Sequence, residues 1–171
     1  MILRYLAISM ADAKKSTTKK LQSELKKFFE SELAERAAAG MSDGSCIKLL
    51  IEGENFYFLR EKKANKLITA ERDNPEVTFW IPINTMRRLL SELELPGSGL
   101  ASMGISIFEA IISNEEDRKI KFKVHASFLT LWAKGYFSVL KAGGPELASY
   151  LARMGFSGIA QMKEFLKKIR G

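Results

Sequence analysis

Lys119, Lys121 and Lys123 alternate with Ile120, Phe122 and Val124. A period of two puts three ammonium groups on one side of a strand and three apolar side chains on the other. Unpaired lysines stay in water, so a sheet that contains this strand keeps one face wet and packs its core against the opposite face. The rest of the chain must supply that sheet's other strands and its cover.

Both are legible. Leu21, Leu25, Phe28, Phe29 and Leu33 recur at helical spacing, and Ala37-Ala38-Ala39-Gly40 closes that helix. The period then changes to two. Ile47 to Glu52 and Phe56 to Arg60 predict a hairpin, Leu67 to Ala70 a third strand, and Val77, Phe79 and Ile81 a fourth, read together as an antiparallel meander. Pro82 ends the fourth strand, and Asn84 is expected to cap a helix with Met86, Leu89, Leu90 and Leu93 on its apolar face. Leu95 to Leu100 reads as a hinge, because its Gly-Ser-Gly is not followed by the Lys-Ser/Thr of a phosphate loop. Met103, Ile105, Ile107, Phe108, Ile111 and Ile112 predict the next helix, and Ser113 to Arg118 an acidic turn. After the lysine strand, a helix from Phe128 through Leu131, Trp132, Phe137 and Leu140 is expected to run to the break at Ala142-Gly143-Gly144-Pro145. Helices over Glu146 to Arg153 and Gly158 to Arg170 close the chain.

The expected fold class is α+β: a five-stranded, mainly antiparallel sheet with helices packed on one face, plus a C-terminal helical extension. Residues 1–17 form a leader, 18–142 the domain, and 143–171 an extension packed on it. Met10, followed by Ala-Asp-Ala-Lys-Lys, is the expected translation start, which leaves Met1 to Ser9 upstream of the product.

Composition narrows the function classes. The balance of 27 basic to 20 acidic residues gives +7, which favours anionic surfaces, phospholipid or nucleic acid, and also suits a protein with no such partner. The single cysteine, Cys46, permits no intrachain disulfide and fits a reducing, cytoplasmic setting. One cysteine with one histidine supplies no zinc-type ligand set, and no metal or cofactor is expected. His125 has no Ser, Cys or acid paired with it by spacing, so catalysis is not expected. No apolar run reaches the roughly 20 residues that span a bilayer.

Several short motifs carry a resemblance. They are the hairpin Leu49 to Arg60, the strand Glu76-Val77-Thr78-Phe79 leading to Pro82, the helix Met86-Arg87-Arg88-Leu89-Leu90, and Lys119 to Val124 with the apolar helix after it. In this order they resemble the sterol carrier protein type 2 domain, a small α+β lipid-binding fold, over about residues 18–142. His125-Ala126 stands where members commonly have a glycine. The stretch beyond Lys141 has no counterpart in the short members, and the C-terminal Lys168-Ile169-Arg170-Gly171 is not a peroxisomal tripeptide. Sterol is therefore one ligand among several.

The resemblance implies non-catalytic binding or transfer of a lipid, fatty-acyl or other elongated apolar ligand between sheet and helices. The lining it implies is Phe56, Phe58, Phe79, Ile81, Met86, Leu90, Ile107, Phe108, Ile111, Phe122, Val124, Phe128, Leu131 and Trp132. From the residues alone, a filled core and an open cavity both stand. Two alternatives also stand, a basic nucleic-acid or anionic-surface protein and a partner-binding scaffold. Specific nucleic-acid binding is not expected, because the helical lysines mix with glutamates and no aromatic-basic motif appears. Lys163, Lys167, Lys168 and Arg170 read either as a contact for anionic membrane or as a solvated helix face.

Overall fold

The computed structural model describes residues 19–156, 158, 160, 161 and 163–165. Five strands, β1 (Cys46–Ile51), β2 (Glu54–Glu61), β3 (Ala64–Ile68), β4 (Val77–Trp80) and β5 (Lys121–Val124), form one open sheet in the order β3-β2-β1-β4-β5. Neighbours are antiparallel except β1 and β4, which run parallel with Ile47 beside Val77 and Leu49 beside Phe79. The sheet is mainly antiparallel, as expected, but the meander ends at β3. The connection 69–76 is longer than a hairpin needs, and it carries the chain back past β2 and β1. There β4 gains a neighbour on each side, and Phe79 lies opposite Phe122 of β5.

The pleat sorts the side chains. Ile47, Leu49, Ile51, Phe56, Phe58, Leu67, Phe79 and Ile81 join the main core. Lys48, Lys66, Trp80, Lys121 and Lys123 fall on the other face by register. That second face is not wet throughout. Cys46, Tyr57 and Leu59 are buried there with Ile68 against them.

Helical backbone covers 19–29 (α1). Further helices are α2 (Glu32–Ala37), α3 (Ile83–Leu93), α4 (Leu100–Ile112), α5 (Phe128–Ala133), α6 (Ser138–Ala142) and α7 (Gly144–Arg153), and the backbone is again helical at 160, 161 and 163–165. Leu21 and Leu25 of α1, Met86 and Leu89 of α3, and Met103 and Ala110 of α4 all pack into the core over the same sheet face. No helix among the described residues is long and apolar enough to cross a membrane.

Three local expectations are revised. The first helix breaks at Ser31, whose Oγ donates to the Phe28 carbonyl and accepts from the Ala34 N–H, so one helix ends and the next is capped by one side chain. Asn84 lies inside α3, and Pro82 is its N-cap. The helix from Phe128 stops at Ala133. Gly135 adopts a left-handed φ of 76°, and the N–H groups of Tyr136 and Gly135 return to the carbonyls of Leu131 and Trp132, a Schellman closure.

The two hairpins differ in turn chemistry. Glu52-Gly53 and Lys62-Lys63 both sit at positive φ, as two-residue turns of the primed type require, but only the first has a glycine. Lys63, at φ 61°, carries a left-handed penalty of about 1 kcal/mol that glycine avoids. Lys63→Gly should therefore raise stability in urea by a few tenths to about 1 kcal/mol. A decrease would contradict the strained-turn account. The backbone N–H that bonds Asp43 Oδ1 is kept in the variant.

Candidate functional site

The break at Ser31 folds α2 back along the sheet edge, and carboxylates fix it there. β3 is an edge strand, and its Asn65 N–H donates to Glu35 Oε1 while its Leu67 N–H donates to Glu30 Oε1. Arg60, 4% exposed, bonds both Glu35 Oε2 at 2.5 Å and Asn65 Oδ1 at 2.7 Å. Asn65 Nδ2 reaches the Phe29 carbonyl. These bonds satisfy backbone donors that would otherwise invite another strand, and they anchor the α1–α2 elbow above β2.

Beneath that elbow lies a cavity of about 180 Å³. Phe28, Phe29, Ser31, Leu33, Ala34, Ala37, Ala38 and Met41 line one side. Ile47 and Phe58 line its sheet wall, and Leu93, Leu100, Met103, Ile107 and Val139 the rest. Ser31 is its one polar side chain, and both hydrogen-bonding roles of that hydroxyl are already used. Small alanines on α2 leave the space, because each turn of that helix presents a methyl group where a leucine would fill it.

Of the residues the sequence assigned to a pocket, Phe58 and Ile107 line this cavity. Phe56, Phe79, Ile81, Met86, Leu90 and Ile111 pack in the main core around it. Phe122, Val124 and Leu131 form a separate cluster with Val77, and Phe128 stacks on Phe137 at 5.1 Å. Phe108 turns the other way, packing on Leu147 and Leu151 of α7, with Phe156 at 5.1 Å and Tyr150 at 6.2 Å between ring centroids. Trp132 is 60% exposed and lies outside this cavity's lining. The reason for both departures is helical phase: adjacent Ile107 and Phe108 cannot share a face, and α5 already points Leu131 inward. Lys163 is exposed, its ammonium 5.9 Å from the Phe128 ring centroid, while Lys167, Lys168 and Arg170 lie outside the described residues.

Sequence reasoning missed the alanines of α2, which look like a helix end and instead form a wall. It also gave no role to Glu76. That carboxylate, 8% exposed, accepts from the Cys46 N–H at 2.6 Å and the Tyr136 hydroxyl at 2.9 Å, and pairs with Lys134. Burial first, then the charge of Glu76, pushes the Cys46 thiol above its ordinary range, so it is protonated at neutral pH and not an activated nucleophile. Burial and the same carboxylate push the Tyr136 hydroxyl well above its ordinary value. His125 is exposed, with Nε2 2.9 Å from Thr78 Oγ1. Among the described residues no group of three or more His, Cys, Asp or Glu side chains could hold a metal ion.

No protein-family model matches this chain, and no curated protein matches it. Among solved structures it is similar to one described as "UbiJ-SCP2 Ubiquinone synthesis protein", at 10% sequence identity and a TM-score of 0.41, over 76% of this chain and 97% of that chain. A likeness of that degree transfers no residue's role and no activity.

Proposed function

We propose that this protein binds one elongated apolar ligand, of fatty-acyl type, in the cavity under the α1–α2 elbow, and that it holds or carries this ligand without chemical change. The observation that carries the reading is the lining: every side chain but Ser31 is apolar, and that hydroxyl is spent. A chain entering there gains roughly 0.8 kcal/mol per buried CH₂, whereas a charged headgroup would lose its hydration and find no partner. The volume is close to the roughly 150 Å³ of a dry cavity that takes benzene, and below the roughly 300–1,000 Å³ of pockets for drug-sized ligands. It therefore takes one end of a chain, tail first, with the headgroup left toward partly exposed Val139 and Leu100. The one hydroxyl in the lining, that of Ser31, is committed to the backbone, which fits a site that binds. The sequence resemblance points the same way, and the lone Cys46 supports a cytoplasmic setting.

A fluorescent fatty acid titrated into delipidated protein should saturate near about one equivalent. Ala37→Leu, which adds methyl groups on the α2 wall, should weaken that binding by roughly tenfold while the thermal midpoint stays within a few degrees. No saturable binding of any long-chain lipid, or an unchanged affinity in Ala37→Leu, would rule the cavity out. Binding that vanishes at high salt would favour the anionic-surface alternative.

A further inference from the structure

Two large apolar side chains stand in water side by side on α5. Leu129 is 68% and Trp132 60% exposed, and their i, i+3 spacing puts them on one helix face. Neither belongs to a core cluster, and neither lines the cavity. The stretch of chain that carries them is basic. Between Asp117 and Glu146 the chain carries Arg118, Lys119, Lys121, Lys123, Lys134 and Lys141 and not one carboxylate. Three of these six are paired with carboxylates, Arg118 with Glu115, Lys121 with Glu116 and Lys134 with Glu76, which leaves Lys119, Lys123 and Lys141 as the excess. Lys163 adds an ammonium beside Phe128, the neighbour of Leu129.

We infer that the Leu129–Trp132 face of α5 is a docking surface for an anionic lipid bilayer. Tryptophan partitions to the headgroup level, where its ring is dehydrated and its N–H stays wet, and lysines around it gain from an anionic surface. A protein partner fits less well. A stable protein interface buries about 1,200–2,000 Å², and an aromatic side chain contributes about 150–250 Å². Two side chains on a six-residue helix suffice for shallow insertion and fall short of such an interface. The surface is separate from the cavity, so it stands or falls independently of the ligand proposed above.

The test uses the full chain. Trp80→Phe removes the other of the two tryptophans and makes Trp132 the sole tryptophan reporter. Vesicles of phosphatidylcholine with phosphatidylserine should then shift the Trp132 emission to the blue, and brominated acyl chains should quench it. Vesicles of phosphatidylcholine alone should do neither. In the native background, Leu129→Ser with Trp132→Ser should lower co-sedimentation with the anionic vesicles by roughly tenfold or more. Both positions are exposed, so the double variant should keep its circular dichroism and its fatty-acid titration unchanged. Absence of the blue shift, equal binding to neutral vesicles, or undiminished sedimentation of the double variant would each overturn the inference. So would a double variant whose only change is the loss of self-association, which would make a second copy the occupant.

Discussion

Gly135→Ala is expected to destabilise the protein by about 3 kcal/mol or more, with a fall in thermal midpoint on the order of 10 °C. Two penalties combine. At φ 76° an alanine carries left-handed strain of about 1–2 kcal/mol. Its Cβ would also stand 1.9 Å from the Gly40 carbonyl oxygen and 2.9 Å from that carbonyl carbon. Those are backbone atoms, so no rotamer relieves the clash, and the chain after α2 must separate from the α5–α6 turn. The separation would stretch the bond from the Ser42 N–H to the Lys134 carbonyl, 2.9 Å in length. It would also disturb Val139 of α6, Ala37 and Ala38, which line the same cavity. The variant should therefore lose affinity for an apolar probe under conditions where it remains folded. A loss below about 1 kcal/mol in urea unfolding would mean that the close approach yields cheaply, and that the turn is not what sets the cavity.

Much of this fold could be read from residues, and the exceptions have physical causes. The strand Lys121–Val124 with its exposed lysines and helix α3 follow from periodicity, because each has one apolar face and one solvated face; the hairpin of β1 and β2 and helix α4 were legible as elements although both of their sides carry buried residues. The parallel pairing of β4 with β1 was not legible, since period two says which residues face the core and nothing about which neighbour a strand chooses. A connection over 69–76, too long for a hairpin and holding Pro75, was the available hint. The broken helices were recoverable in part. Lys134-Gly135 is a helix-stop signature, whereas Ser31 between Glu30 and Glu32 looks like any exposed helical serine until its neighbours are known. The candidate site was least legible. Large side chains drew attention to Phe108 and Trp132, but a cavity is made by what is absent, and its wall is the alanine face of α2.

Glu76 carries the second large effect. The sequence singles it out only as the acid before Val77-Thr78-Phe79, and the structure makes it the joint between four elements. Its backbone N–H donates to the Cys46 carbonyl, its carbonyl accepts from the His125 and Ala126 N–H groups, and its side chain holds the Cys46 N–H, the Tyr136 hydroxyl and Lys134. Glu76→Ala would remove the acceptor of the buried Cys46 N–H and would leave the Tyr136 hydroxyl with a longer bond to the Cys46 carbonyl (3.4 Å) and Lys134 with the Gly44 carbonyl (3.0 Å). A buried pair broken on one side costs about 3–5 kcal/mol, and Lys134, 30% exposed, recovers some of that by turning to water. The expected loss is therefore about 3 kcal/mol. Glu76→Gln keeps an acceptor and the shape, and should lose only about 1–2 kcal/mol. The Tyr136 hydroxyl supplies a pH signature for the same joint. Its pKa in the folded protein lies above the ordinary value of 10.0, so above that pH the unfolded chain releases a proton that the folded chain retains. The stabilisation is complete below about pH 10 and declines as pH rises from there toward the folded value. Tyr136→Phe should be less stable than the native protein at neutral pH and should lose less on going to alkaline pH, so the two urea midpoints converge. If the midpoints instead stay parallel through the alkaline range, Tyr136 does not share the Glu76 joint. If Glu76→Ala then matches Glu76→Gln as well, the carboxylate is not what holds β1, β4 and the α5–α6 turn together.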